Sequence, residues 1–363
     1  MNKKLIALAV AGAMAGPAIA AAADVEVYGQ GRISFGITGN DNPTDDEADS
    51  HMTITSHSSR LGFKGSEDLG DGLTAVYQIE GEVDLDDDAD TSLTSRDSFV
   101  GLAGGFGTVL LGRHDVPYKL ATKSADVWSD TYADLDGSAL NKTHNDRADN
   151  VLAYISPDLG GFTVIGAYVT DIADDDLSAG DSEDEQSAIS LAVMGDVGPV
   201  AASLAYQTVD NIDIAGDLES ADAIKLGLGY SMDVASVNFV YEMTEAGDWE
   251  QDNIALTGSF NVSDSTAIKA VYGLRGEQSF NGDIDDSEGS FVALGVSTKL
   301  SKNVEAYALY AAVDNDANAG AGSGVNTLAA SAAKLSDGPE ALGDDGSEAS
   351  AIAVGINVKF SSK

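Results

Sequence analysis

From Val25 to Phe360 the chain repeats one pattern: segments of roughly ten residues in which apolar side chains alternate with polar or small ones. Ala75, Tyr77, Ile79, Val83 and Leu85 alternate with Gln78, Glu80, Glu82 and Asp84. Ile224, Leu226, Leu228, Tyr230 and Met232 stand opposite Lys225, Gly227, Gly229 and Ser231. Ile352, Val354, Ile356, Val358 and Phe360 stand opposite Gly355, Asn357 and Lys359. Side chains of a strand point to opposite faces in turn, so each segment has one greasy and one hydrophilic face. Sixteen such segments run along the chain, joined by connections alternately short and long. An even number of antiparallel strands with short turns at one end and long loops at the other is the pattern of a transmembrane β-barrel. Lipid forbids open sheet edges, so the last strand is expected to close on the first. Sixteen strands enclose an aqueous lumen, where eight would be filled by side chains. A soluble all-β protein would instead have to pack Gly, Ser, Asn, Glu, Arg and Lys into its core at native density, leaving many polar groups unpaired.

The amino terminus sets the compartment. Asn2-Lys3-Lys4 is basic, Leu5 to Met14 is apolar, and Ala18-Ile19-Ala20 is a small-residue cleavage site. Residues 1–23 are therefore expected to be a secretory signal peptide and 24–363 a single barrel domain. Beyond Asp24 no apolar run approaches the length of a spanning helix. The chain has no Cys, which excludes a disulfide scaffold and thiolate metal sites. Its formal charge is -41; without Lys3 and Lys4, 17 of the 19 basic residues face 60 acidic ones, giving -43. Such a surface repels phosphate, so nucleic acid is excluded as a partner. The acid falls largely in runs at Asp41 to Asp49, Asp84 to Asp90, Asp171 to Asp184 and Asp344 to Glu348, which read as solvated loops. Asp314-x-Asp316-x-Asn318 begins like a calcium loop, but Ala319 stands where that loop needs Gly, so neither a metal nor a cofactor is expected.

One connection departs from the rest. After Gly107-Thr-Val-Leu-Leu-Gly-Arg113 the chain runs to Arg147 without alternation, a stretch too long to be an idle loop in a compact domain. The strand that leads into it carries Val109, Leu110 and Leu111 in succession, as expected if something covers its inner face. The four His, at 51, 57, 114 and 144, sit in no nucleophile motif, and the G-x-S-x-G elbow is absent. They read as loop or rim residues, and no enzymatic activity is expected.

Five ordered phrases resemble the Gram-negative general porins: Val27-Tyr-Gly-Gln-Gly-Arg32, Ser59-Arg-Leu-Gly-Phe-Lys-Gly-Ser-Glu-Asp-Leu-Gly-Asp-Gly-Leu73, Ser95-Arg-Asp-Ser-Phe-Val-Gly-Leu102, Phe106-Gly-Thr-Val-Leu-Leu-Gly-Arg113 and Arg147-Ala-Asp-Asn-Val-Leu-Ala-Tyr-Ile-Ser-Pro157. The resemblance implies a sixteen-stranded homotrimer among the lipid and lipopolysaccharide of the outer membrane, inserted by the barrel assembly machinery. It implies a channel for passive diffusion of ions and small hydrophilic solutes, with an inward-folded third loop as its constriction. It further implies a row of basic wall residues facing that loop: Arg60, Arg96 and Arg147, with Arg32 and Arg113. Parity puts Arg32, Arg60, Lys64 and Arg96 on the polar faces of their strands. The third loop lacks the family's Pro-Glu-Phe-Gly-Gly-like tip and supplies Asp126, Asp130, Asp134 and Asp136.

Opposed charges across a narrow aqueous gap between low-dielectric walls make a strong transverse field, and charge rings set ion preference. With acid so far in excess of base, weak cation selectivity is expected. Two other readings compete. Trp128 and Tyr132, with Tyr118, could begin the aromatic track of a sugar-specific channel, or could wedge the loop against the wall. The barrel could also serve only as a membrane anchor.

Overall fold

A computed structural model describes residues 25–41, 49–86, 96–136, 138–141, 144–170, 186–214, 217–280, 282–316, 319 and 348–363. The expected signal peptide, most of the acidic runs and Asn318 lie outside the described residues.

The first half of the chain forms β1 (Glu26–Asp41), β2 (Asp49–Ser56), β3 (Arg60–Gly70), β4 (Leu73–Glu82), β5 (Ser98–Gly104), β6 (Gly107–Asp115), β7 (Arg147–Ile155), β8 (Phe162–Thr170) and β9 (Ser187–Val197). The second half forms β10 (Val200–Ile214), β11 (Asp217–Ser231), β12 (Ala235–Ala246), β13 (Trp249–Asn261), β14 (Thr266–Arg275), β15 (Ser279–Phe280), β16 (Gly289–Lys299), β17 (Val304–Asn315) and β18 (Glu348–Ser361). All belong to one antiparallel sheet, and β1 pairs with β18 from Tyr28↔Ser361 to Asp41↔Glu348, which closes it into a barrel.

The eighteen segments make sixteen crossings. β2 and β3 both pair with β1 and are one crossing, interrupted at His57–Ser59, where Ser58 has φ 48°. β15 is a two-residue stub that pairs with β13 beyond the end of β14. The count matches the sequence pattern, with one difference. The alternation is legible in this crossing only from Arg60, but the structure begins the crossing at Asp49, with Met52 and Ile54 exposed and Thr55 buried. The break at His57–Ser59 shifts the period and hides the first part.

Polarity is distributed as the alternation requires. Ile254, Leu256, Tyr272, Val292, Leu294 and Val354 are exposed on the outer face, where lipid would cover them, while their neighbours Asn253, Ala255, Val271, Ala293 and Ala353 are buried. The interior is nevertheless drier than the sequence pattern implies. The connection between β6 and β7 packs Val116, Tyr118, Leu120, Trp128, Tyr132, Leu135 and Leu140 against inward-facing wall residues in two apolar clusters. Small wall residues that read as water-facing, such as Ala192, Ala205, Ala255, Ala293 and Ala311, are buried in these clusters. Of the three successive apolar residues in β6, Leu110 alone points inward, into the cluster that holds Val116 and Tyr118; Leu111 is exposed outside.

Candidate functional site: a charged cleft beside the long loop

The long loop begins as β6 ends. Val116 is extended, and Pro117 opens a single helical turn, α1 (Pro117–Leu120), because its fixed φ suits the first helical position. Within α1 the backbone N–H of Tyr118 donates to Ser190 Oγ on β9 (3.0 Å). A 3-10 turn over Lys123–Ala125 follows, and Thr257 on β13 donates its hydroxyl to the Ala125 carbonyl (2.6 Å). Trp128 then lies against Tyr307 of β17 (ring centroids 6.0 Å apart), with the Lys269 ammonium of β14 over its face. At the tip, the Tyr132 hydroxyl meets Thr55 Oγ1 (2.5 Å), and the Tyr132 ring packs edge-on against the buried His57. The chain returns with Ala139 pressed on Gly273 of β14 and Asn141 bonded to Glu242 of β12. The loop thus touches polar-face residues of β1, β2, β9, β12, β13, β14 and β17. Contact with walls on opposite sides is possible only inside the barrel.

The Asp residues order this course. Asp134 accepts from the backbone N–H groups of Asp130 (2.7 Å) and Asp136 (2.9 Å), fixing a turn in which Asp130 adopts the left-handed conformation with φ 52°. Asp126 accepts from the Trp128 N–H (3.0 Å). Asp130 reaches across to the wall. It forms an ion pair with Arg60 (2.5 Å) and another with Arg32 (3.4 Å), and Arg32 also donates to the carbonyls of Ser129 and Asp130.

Between the loop and the wall formed by β3 to β7 remains an open cleft. Its basic lining residues are Arg60, Arg96 and Arg147 from the wall and Lys119 and Lys123 from the loop. Its acidic lining residues are Asp115 from the wall and Asp126, Asp130, Asp134 and Asp136 from the loop. The structure therefore brings together most of the charged residues singled out by sequence, with Arg32 beside them at the tip. Two stand apart. Lys64 pairs with Glu26 (3.7 Å) and sits over the Tyr28 ring, and Arg113 pairs with Asp149 (2.5 Å). Neither lines the cleft.

Sequence reasoning missed Lys119, Lys123 and Asp115. The two Lys are four residues apart just after Pro117, a spacing that puts both on one side of a helical turn, and that signal was available. The wall arginines are also less bare than the sequence suggests. Arg96 pairs with Glu80 (2.9 Å) and Glu82 (3.1 Å), and Arg147 with Asp97 (2.6 Å) and Asp115 (2.8 Å). His57, read from sequence as a loop or rim residue, is buried against the loop, while His144 is a loop residue as read but is buried, against Tyr118 and Gln207.

The loop carboxyls sit in unequal environments. Burial raises the Asp130 pKa, but the Arg60 and Arg32 guanidiniums outweigh burial and hold it down at about 2. Burial pushes Asp126 up to about 7, and neighbouring Asp136 adds to the rise. Burial also raises Asp136, against the pull of Lys119. Lys119 is desolvated, yet Asp136 and Asp115 keep it above the usual lysine value.

A family model described as Gram-negative porin matches residues 7–318. Outer membrane porin protein 32 of Delftia acidovorans is 30% identical over 328 residues, 87% of this chain and 90% of its own length. The chain is a Gram-negative porin. Among solved structures, the anion-selective porin from Comamonas acidovorans superposes on this porin with a TM-score of 0.75 at 27% identity, covering 93% of this chain and all of its own. The in-vitro folded OmpT of Vibrio cholerae shares the fold, with a TM-score of 0.67 at 19% identity, covering 94% of this chain and 99% of its own. The porin resides in the outer membrane and forms a channel across it. Family and fold mark it as a channel rather than an enzyme.

Proposed function

We propose that ions and small hydrophilic solutes diffuse through this porin by way of the charged cleft, and that the loop between β6 and β7 is the element that narrows the channel. One observation carries the reading: the loop packs on the inner wall from β9 to β17, and beside β3 to β7 it leaves a water-sized space, larger than the small pocket between Thr122 and the β9–β12 wall, in which charged side chains face one another. Arg60, Arg96, Arg147, Lys119 and Lys123 form one set of charges, and Asp115, Asp126, Asp130, Asp134 and Asp136 the other, with Arg32 holding the loop tip. Lys64 and Arg113 stand outside the narrow point.

The expected cation preference came from the whole-chain charge. The cleft itself carries five basic and five acidic residues, so we place ion preference there and expect it to be weak. A sugar-specific aromatic track is disfavoured, because Tyr118, Trp128 and Tyr132 are buried against the wall and line no part of the cleft. A solved Vibrio cholerae OmpT is described as a trimer form, which supports a homotrimer here too. Lipopolysaccharide and the barrel assembly machinery are the partners that the family resemblance implies. Residues 1–23 serve as the signal peptide in this reading; mass spectrometry of protein from outer membranes would test the new amino terminus.

The decisive experiment is single-channel recording of the purified protein in planar bilayers. Stepwise conductance closing in threes, with a unit step changed by Arg60→Ser or Arg96→Ser, is the expected result. Absence of conductance, or a unit step and ion preference unaltered by both substitutions, would refute the assignment of the cleft.

A further inference from the structure

Away from the cleft, on the far side of the loop, the inner wall carries a row of fully buried polar groups that solute does not reach. Lys225, Glu242 and Asn253 are direct cross-strand neighbours on β11, β12 and β13. Lys225 and Glu242 each have zero solvent exposure and lie 3.5 Å apart, Nζ to Oε2. The Glu242 carboxylate accepts from both stems of the long loop. The Tyr118 hydroxyl (3.1 Å) comes from the outgoing stem. The Asn141 backbone N–H (2.6 Å) and the Asn145 amide (2.9 Å) come from the returning stem. Asn253 fills a fourth position on the same carboxylate (3.1 Å). Lys225 ties the same stems from its own side: it donates to Asn145 Oδ1 and stands 4.0 Å from the centroid of the Tyr118 ring.

A buried ion pair is poor evidence for stability as such, since apolar residues of like volume often do as well. Its best-attested use is to select one arrangement over others. Here the alternatives are concrete. The loop is held between a dry wall and a wet cleft, and the cleft is the space into which freed stems can move.

We propose that Glu242, supported by Lys225, is a positioning residue that clamps both stems of the loop to the β11–β13 wall and so keeps the diffusion path open. The idea rests on the diffusion reading above. Glu242 acts through the loop and touches no solute.

The test uses the full-length porin, refolded and in planar bilayers, with wild type beside Glu242→Gln, Glu242→Ala, Lys225→Met and Tyr118→Phe. Tyr118→Phe deletes one hydroxyl and leaves the buried ion pair intact, so it holds the fold even if the Glu242 variants, which strip Lys225 of its counter-charge, do not assemble. The expected result is a downward shift in the voltage at which channels close and more open-state flicker. The effect is largest in Glu242→Ala, partly rescued in Glu242→Gln and smallest in Tyr118→Phe, with heat resistance of the assembled protein little changed in Tyr118→Phe. If wild type conducts and the folded variants show the same closing voltage, flicker and unit step, the clamp is wrong. A loss of heat resistance alone, with channel records unmoved, also overturns it, because that outcome makes the cluster purely structural. If wild type itself does not conduct, the diffusion reading fails first, and the two failures are told apart.

Discussion

Ion preference in this porin should change with pH near neutrality, through one carboxyl. Asp126 lines the cleft and has its pKa pushed to about 7 by burial and by Asp136. The groups facing it are the Trp128 N–H, Asp130 and Asp136 on the loop, Arg32 on β1 and Lys269 on β14. Between pH 8 and pH 5 Asp126 takes up a proton, which makes the cleft more positive by one charge, and the raised Asp136 can only add in the same direction. A unit charge about 8 Å from a passing ion in water is worth about 0.5 kcal/mol. That is roughly a two-fold change for each ion and about five-fold in the anion-to-cation ratio at low salt. Screening at 0.1 M salt, where the Debye length is about 10 Å, reduces the ratio to about two-fold. Reversal potentials in a salt gradient should therefore move toward anions between pH 8 and pH 5, with a midpoint near 7, and Asp126→Asn should hold the low-pH value throughout.

Stability follows the same proton with a definite sign. The folded pKa of Asp126 lies above the ordinary carboxyl value, so between about pH 4 and pH 7 the docked loop binds a proton that the undocked chain does not. Docking is strongest below pH 4, weakens as pH rises to 7, and is flat above that. The total is at most about 4 kcal/mol for a shift of about three pH units, less whatever cleft water screens. An unmoved reversal potential in wild type, or an equal pH shift in Asp126→Asn, would refute the reasoning.

Asp130 should behave in the opposite sense. With its pKa held near 2, its bonds to Arg60 and Arg32 persist down to about pH 4 and fail as pH falls toward 2. Asp130→Ala removes the charge-assisted partner of both arginines and should cost about 2 kcal/mol in loop docking, with a shift toward anions at pH values above about 4, read by heat dissociation and reversal potential. Close approach is the other handle. A Cβ on Gly273 would clash with Ala139 Cβ, and one on Gly295 would lie 2.7 Å from the Trp128 ring. Gly273→Leu should push the returning limb toward the cleft and lower the unit conductance, at a cost of about 1 to 3 kcal/mol from overpacking. Conductance and heat resistance both equal to wild type would show that the limb does not press on that wall.

The barrel was legible because alternation of period two survives in nearly every crossing, and it failed only where His57–Ser59 breaks the second. The loop's acid was legible too, and the resemblance named the wall arginines that face it. The acids that partner those arginines on the wall were not, for a physical reason: Arg96 meets Glu80, and Arg147 meets Asp97, through strand register, which parity does not supply. Register likewise sets Lys225, Glu242 and Asn253 side by side, although each was visible on the polar face of its own strand. Inward Ala and Gly residues looked like the lining of a flooded tunnel. Small residues serve equally well where a second layer must approach, and here that layer is the loop.

The loop itself resolves the apparent conflict between a wet lumen and apolar clusters within it. From Asp126 to Asp134 every second residue is by turns a carboxylate and an aromatic: Asp126, Trp128, Asp130, Tyr132, Asp134. The aromatics are sunk against the wall at Tyr307, Thr55 and His57, and the carboxyls face the cleft or cap the loop's own turn. A stretch with no regular secondary structure is thus two-sided, and needs a greasy wall on one side and water on the other. A barrel that held its loop only by charge would lose it to salt, since exposed ion pairs are screened. One that held it only by apolar contact would leave the carboxyls unplaced. On the diffusion reading proposed above, both faces together fix where the narrow path runs, and the few charges along that path, rather than the large acidic excess elsewhere in the chain, are expected to govern ion preference.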